Sequence, residues 1–278
     1  MLGVTLFQYL SSFKKNEVYG TLRDKKKIFK INHNIFYGYE AEKYEKFFNL
    51  IKKIKPDYVI NCIGIIKQRN ENELYSKTIF INSIFPRNIS SFCTSYKIKF
   101  IQISTDCVYD GKRGNYYEYN SSNAKDLYGM SKYLGEVYDN NHLTIRTSII
   151  GNEIRNKKNL LEWVISQNND RVNGYINAIY SGLTTLEFSK IINKYFLNFK
   201  LSGLYHVSSN PINKYNLIKL IINEFGLKIK LLKNSSFKID RSLNDKKFRK
   251  ISGYKHKPWK TMIKELKDNQ SHFNKIMK

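Results

Sequence analysis

The chain has 278 residues, 41% of them hydrophobic, and a formal net charge of +25. That length can bury a large core in one or two domains, and no apolar run is long enough for a membrane-spanning helix. The charge comes from lysines spread along the whole sequence among abundant Asn and Ile, so it speaks against a dedicated nucleic-acid surface and leaves a diffuse potential that favours anionic substrates. Neither specific nucleic-acid binding nor membrane association is expected. Cys62, Cys93 and Cys107 are an odd count without paired spacing, which predicts reduced thiols in a cytoplasmic protein. The five histidines show no metal-ligand spacing, and no metal site is expected.

Residues 1–10 carry leucines and aromatics at helical spacing and lack the features of a signal peptide. A strand is predicted over 17–23, closing on Arg23 and followed by Asp24. Helical spacing returns over 44–54 and stops near Pro56. Residues 57–64 predict a buried strand ending in the small turn Cys62-Ile63-Gly64. Residues 73–96 predict a helical segment that Pro86 breaks or kinks. Strands over 100–104 and 142–148 follow, the second with Arg146 near its end. This alternation is the signature of a parallel sheet covered on both faces. After Gly151 the pattern loosens into a polar stretch over 152–159 and a helix over 160–166. A short strand or loop over 174–181 follows, and then a capped helix from Thr184 to Tyr195. A late strand over 203–209 precedes one more helix after Pro211 and Asn213. No repeat or low-complexity linker is visible, so two interleaved parts are expected.

The most informative stretch is Ile101-Gln102-Ile103-Ser104-Thr105-Asp106, followed by Tyr128-Gly129-Met130-Ser131-Lys132. The first part predicts a buried strand ending in hydroxyl and carboxylate groups. The second opens a helix expected to run through Leu134, Val137 and Tyr138. Spacing i,i+4 puts Tyr128 and Lys132 on one helix face. A tyrosine titrating near pH 10 is a poor acid or base, and a neighbouring ammonium is expected to lower that value. Thr105 can add a hydroxyl to the same cleft. Y-x-x-x-K alone arises by chance in a chain with 21 tyrosines, as a helix surface with a solvated lysine. A strand ending in Ser-Thr-Asp, the loop Tyr109-Asp110-Gly111 and then the pair is far more specific. In the run from Ser104 to Gly111 the sequence resembles the extended short-chain dehydrogenase/reductases, and within them the dTDP-4-dehydrorhamnose reductase branch. Arg241 to Asn244, Gly253-Tyr254 and Pro258-Trp259 resemble that family's closing segment, so the likeness covers nearly the whole chain.

The resemblance implies an α/β fold: a doubly wound, Rossmann-type domain over 1–150 and a smaller mixed nucleotide-sugar-binding region over 151–278. The site is expected between them, at the carboxyl ends of the strands. It implies NADPH- or NADH-dependent reduction of a nucleoside-diphosphate 4-keto-6-deoxy sugar, for cell-surface polysaccharide precursors. Thr105, Tyr128 and Lys132 would be catalytic. Gly3, Arg23, Cys62, Ile63 and Gly64, with Tyr128 and Lys132, would bind the cofactor. Thr105, Asp106, Tyr128 and Arg146 would bind the sugar. Arg23 suits the 2′-phosphate of NADPH, whereas Asp24 would suit NADH. Asn82 matches an Asn common on the family's helix, or is an ordinary polar position. A homodimer is a compatible assembly. The family's dehydratases place an Asp-Glu pair after the threonine; Cys107 follows Asp106 here, which favours a reductase over a dehydratase or epimerase. A non-catalytic regulatory or binding subunit on the same fold is the other alternative. The family's glycine-rich turn is matched only in its last positions, by Met1-Leu2-Gly3. The first strand is thus absent from the sequence, and a functional form about ten residues longer is expected.

Overall fold

The computed structural model describes residues 1–23, 34–66, 75–139, 141–153, 159–199 and 201–270. Asp24, Glu73 and the middle of the polar stretch, 154–158, lie outside them. Helix α1 (Leu2–Ser11) buries Leu2, Leu6 and Leu10, one per turn. Strand β1 (Gly20–Leu22) is shorter than expected and pairs in parallel with β2 (Ile35–Tyr37), which the sequence reading did not foresee. Helix α2 (Glu45–Ile54) ends where Lys55 takes the left-handed conformation, just ahead of Pro56. Strand β3 (Tyr58–Asn61) follows.

Helix α3 (Tyr75–Ile79), a π turn (Phe80–Ile84) and α4 (Phe85–Ser95) form one continuous rod. The π turn is the form the expected Pro86 break takes. Pro86 has no N–H to offer the Asn82 carbonyl four residues back, and the Phe85 N–H reaches Phe80 instead. Strand β4 (Lys99–Thr105) and strand β5 (Leu143–Thr147) flank helix α5 (Leu127–Leu134) in sequence. Helix α5 stops earlier than predicted, at Gly135, and the Val137 N–H bonds the Thr144 hydroxyl at 2.9 Å.

Strand β6 (Ile149–Ile150) leads to α6 (Leu160–Ser166), which Asn159 caps through the Glu162 N–H. The expected short strand over 174–181 is the ten-residue β7 (Arg171–Tyr180). After β8 (Leu183–Thr184), Thr184 caps α7 (Thr185–Ile191), and a second π turn (Ile192–Phe196) runs into α8 (Leu197–Phe199). Strand β9 (Gly203–His206), strand β10 (Ile212–Asn213), helix α9 (Lys214–Phe225) and strand β11 (Lys230–Asp240) come next. Helices α10 (Lys246–Ser252) and α11 (Trp259–Asp268) finish the described chain.

The central sheet is wholly parallel, in the order β3-β4-β5-β9. Every residue of β5, and all of β4 after Lys99, is buried, as a sheet covered on both faces requires. Strands β1 and β2 form a separate parallel pair, and β10-β7-β11 a third, mixed sheet. The largest core cluster joins Leu2, Leu6 and Leu10 of α1 to Phe188, Phe196, Phe248 and Met262. Each such side chain contributes about 1.5–3 kcal/mol when fully buried. This is the predicted α/β class with a Rossmann-type parallel sheet.

Candidate active site

Strand alternation sends consecutive side chains to opposite faces, and at the end of β4 this separates Ser104 from Thr105. The Thr105 hydroxyl donates to Asp106 Oδ1 at 3.1 Å and accepts the Cys107 N–H at 3.1 Å, capping a short 3-10 turn over Asp106–Val108. Helix α5 lies directly on that turn. The contact depends on Gly129, since a Cβ there would come within 2.2 Å of the Cys107 carbonyl oxygen. Asp126 caps the helix through the Gly129 N–H at 2.9 Å. The result brings Tyr128 to Thr105, whose hydroxyl acts on the phenol.

Lys132, one turn further, is buried and donates its ammonium to the Ile103 carbonyl at 2.6 Å. Burial lowers its pKa to about 8, opposed by the negative charge of Glu136. Burial raises the Tyr128 pKa, and the neighbouring Thr105 hydroxyl works the other way. The expected lowering of Tyr128 by Lys132 is therefore not realised: loss of water outweighs it, and the ammonium is turned to Ile103. A phenol that keeps its proton is suited to donating one.

The predicted cofactor residues fall into one group and one outlier. A Cβ on Gly3 would lie 3.2 Å from Cys62 Cβ, so α1 rests against the end of β3. A Cβ on Gly64 would sit 3.3 Å from Asn82 Oδ1 and 3.8 Å from Lys132 Nζ, so this glycine leaves a cradle beside the ammonium. Asn61 Oδ1 accepts the Ile63 N–H at 2.9 Å and fixes the turn between them. Gly3, Cys62, Ile63, Gly64 and Lys132 are thus brought together, and the open floor beside a buried ammonium fits a dinucleotide. Arg23 is exposed beyond β1, close to Glu42, which is paired with Lys77.

Asn82, 1% exposed, is the tie that holds this cradle. Its Oδ1 accepts the Ile65 N–H at 2.9 Å, and its Nδ2 donates to the Ile65 carbonyl and the Ser131 hydroxyl, each at 3.1 Å. The same turn lets Gly135 pass so closely that a Cβ would lie 1.9 Å from the Asn82 carbonyl oxygen.

Arg146 is not in the cleft. It is 2% exposed, and its Nε and Nη2 donate to the two oxygens of Glu136 at 2.8 and 2.7 Å. Its Nη1 donates to the Tyr109 hydroxyl at 2.6 Å, and Ser104 donates to Glu136 at 2.7 Å. His206 closes the network, with Nδ1 at 3.0 Å from the Tyr116 carbonyl and Nε2 at 3.2 Å from the Tyr109 hydroxyl. Burial, helped by Arg146, takes the His206 pKa down to about 3. Each of the three guanidinium nitrogens of Arg146 is engaged by a buried protein group, so the expected sugar ligand is a structural cation paired with Glu136.

Two cations near the site were missed by sequence reasoning. Burial raises the Asp106 pKa, while Arg241 and Lys214 both pull it down. Arg241 donates Nε to the Tyr109 carbonyl at 2.8 Å, and Lys214 stands over the Tyr180 ring at 4.3 Å. All three cysteines are free thiols, and burial pushes each up to about 12.

The parallel sheet, the cradle and the Thr105–Tyr128–Lys132 grouping at the strand ends define a Rossmann-type fold of the reductase and epimerase kind. A family model described as the RmlD substrate binding domain matches residues 1–271, and the chain belongs to that family. The spore coat polysaccharide biosynthesis protein SpsK of Bacillus subtilis is 26% identical over 186 residues, which are 64% of this chain and 64% of that protein. The structure of a hypothetical dTDP-4-dehydrorhamnose reductase from Sulfolobus tokodaii aligns with TM-score 0.77 at 25% identity, over 90% of each chain. That of the Bacillus anthracis dTDP-4-dehydrorhamnose reductase in complex with NADP aligns with TM-score 0.74 at 21% identity, over 86% of this chain and 92% of that one. No helix among the described residues is long and apolar enough to cross a membrane.

Proposed function

We propose that the protein reduces the 4-keto group of a nucleoside-diphosphate 6-deoxy sugar with NADPH or NADH, supplying activated sugars for polysaccharide synthesis. The observation that carries this reading is Thr105 beside Tyr128 with the buried Lys132 ammonium one turn away. Family membership and the named activities of the similar proteins support it. A bound dihydronicotinamide supplies the hydride. Gly3, Cys62, Ile63, Gly64 and Lys132 would hold the cofactor, and Arg23 would reach toward a 2′-phosphate.

Tyr128 donates the proton to the sugar O4, and its raised pKa keeps that proton available until the oxygen becomes basic. Thr105 orients the same oxygen by a hydroxyl hydrogen bond. Lys132 keeps a positive charge close to the developing phenolate, which offsets the cost of burying it. Asp106 accepts from sugar hydroxyls. Cys107, a thiol pushed up to about 12, cannot act as the second carboxylate that dehydration needs.

The test is NADPH or NADH consumption with dTDP- or UDP-linked 4-keto-6-deoxyhexoses. Tyr128→Phe removes one hydroxyl and should lower turnover roughly 10²–10⁴-fold with an unchanged circular dichroism spectrum. A folded Tyr128→Phe enzyme with near-wild-type turnover would overturn the assignment.

A further inference from the structure

Helix α5 carries both Tyr128 and Lys132 on eight residues, too few for a stable helix on its own in water. Where its side chains point is therefore set by the places at which other elements grip it. In its first turn the grip is Gly129, seated on the turn after β4. In its last turn the grip comes from the π turn at Phe80–Ile84, through two consecutive residues. Asn82 Nδ2 donates to the Ser131 hydroxyl at 3.1 Å, and the Ser83 hydroxyl donates to the Ser131 carbonyl at 2.8 Å.

A serine inside a helix can return its hydroxyl to a carbonyl of its own preceding turn. Ser90, further along the same rod, does so, and its hydroxyl donates to the Arg87 carbonyl at 2.9 Å. Ser83, also buried, spends its hydroxyl on the neighbouring helix instead. The carbonyl it takes is among the last four of α5, which have few partners inside a helix. The Gly135 N–H reaches the same carbonyl at 3.2 Å. Ser131 in turn donates its hydroxyl to the Tyr128 carbonyl at 3.0 Å. Residue 131 is thus held by both its carbonyl and its hydroxyl, and it is tied back to Tyr128. Lys132 is the next residue, and its reach to the Ile103 carbonyl at 2.6 Å depends on where residue 131 stands.

We infer that Ser83 is a positioning residue for the reduction: its hydroxyl fixes α5 at residue 131, so that Tyr128 meets Thr105 and the Lys132 ammonium stays at the end of β4. The inference rests on the reductase reading of this site. It adds a residue that acts on the chemistry only through α5. A displacement of about 1 Å in a reacting group can lower turnover by about two orders of magnitude, so the loss of one hydrogen bond at this point is felt in kcat.

Steady-state kinetics with a dTDP- or UDP-linked 4-keto-6-deoxyhexose, beside hydrogen–deuterium exchange over α5, tests the inference. Ser83→Ala should lower kcat on the order of tenfold and leave the KM for the sugar within about twofold of wild type. Its amides over 131–135 should exchange faster. Ser83→Thr keeps the hydroxyl and should recover most of the turnover. Ser90→Ala removes a buried hydroxyl whose hydrogen bond stays within the rod, so kcat and α5 exchange should match wild type. Ser83→Ala with native circular dichroism and kcat within about twofold of wild type would overturn the inference. So would a loss of kcat that Ser90→Ala matches, or a loss seen in KM alone. Unchanged α5 exchange in Ser83→Ala beside an active wild type would sink the grip and leave the reductase reading intact. A wild type that reduces none of these sugars, with α5 exchange faster in Ser83→Ala only, would support the grip and sink that reading.

Discussion

Two groups of buried side chains around the end of β4 have been treated in opposite ways. In the rear network, Ser104, Glu136, Arg146, Tyr109 and His206 are joined to one another by side-chain hydrogen bonds. In the front group of Thr105, Tyr128 and Lys132, the Lys132 ammonium has one hydrogen-bond partner among the described residues, the Ile103 carbonyl, for its three N–H groups. A saturated network fixes geometry and has nothing left to offer a ligand. An under-saturated one costs stability and keeps its donors for chemistry. Burial alone does not separate the two sets; the number of side-chain partners each buried charge has does.

The largest expected effect breaks the rear network. Glu136→Ala strands Arg146 as an unpaired buried cation and should cost about 3–5 kcal/mol, read as a large drop in the urea midpoint. A stability within about 1 kcal/mol of wild type would mean that Arg146 finds water or another partner. Next is Gly129→Ala, which drives a Cβ into the Cys107 carbonyl and Ala124 and should cost about 1–3 kcal/mol. Because α5 must lift away from β4, kcat should fall on the order of tenfold or more while NADPH affinity changes less.

Solution pH sharpens the contrast. Lys132 loses its proton as pH rises through about 8, so kcat/KM should fall above that value. The sign for stability is the reverse. With the folded pKa below the unfolded 10.5, the unfolded chain binds more protons between about 8 and 10.5, and the contribution of Lys132 to stability rises across that window. The Tm of wild type relative to Lys132→Met should therefore climb while activity declines; parallel losses would point to unfolding instead. The smallest effect is Ser104→Ala, which removes one of several bonds to Glu136. It should cost about 1 kcal/mol and leave kcat unchanged, although Ser104 adjoins Thr105.

Much of the front face could be read from the sequence, because it is local. Tyr128 and Lys132 are one helical turn apart, and a buried strand announces Thr105. Helix α6 starts and stops where the spacing places it. The rear network was invisible because its partners meet only through the fold: an arginine near a strand end looks the same whether it faces a sugar or Glu136. Strand β11 escaped notice because its exposure follows no clean alternation and its register slips between Asn234 and Lys238. Lys214 was hidden among many lysines, and Arg241, although it opens a segment that resembles the family's closing region, carried no sign that it approaches Asp106. Gly129 was legible as part of the motif but not as a contact, since the carbonyl it clears belongs to a different element.

The π turn at Phe80–Ile84 gives the long helix one residue more than regular α geometry would hold. That surplus sets the phase between α3 and α4. Removing any single residue from the turn would regularise the hydrogen bonds and rotate everything ahead of it by about 100°. Asn82 would then leave both Ile65 and Ser131, and the loop after β3 would lose its anchor, with no catalytic side chain altered. The site is therefore sensitive here to chain length more than to residue identity: substitutions along the exposed side of this rod are mild, and a one-residue deletion is not.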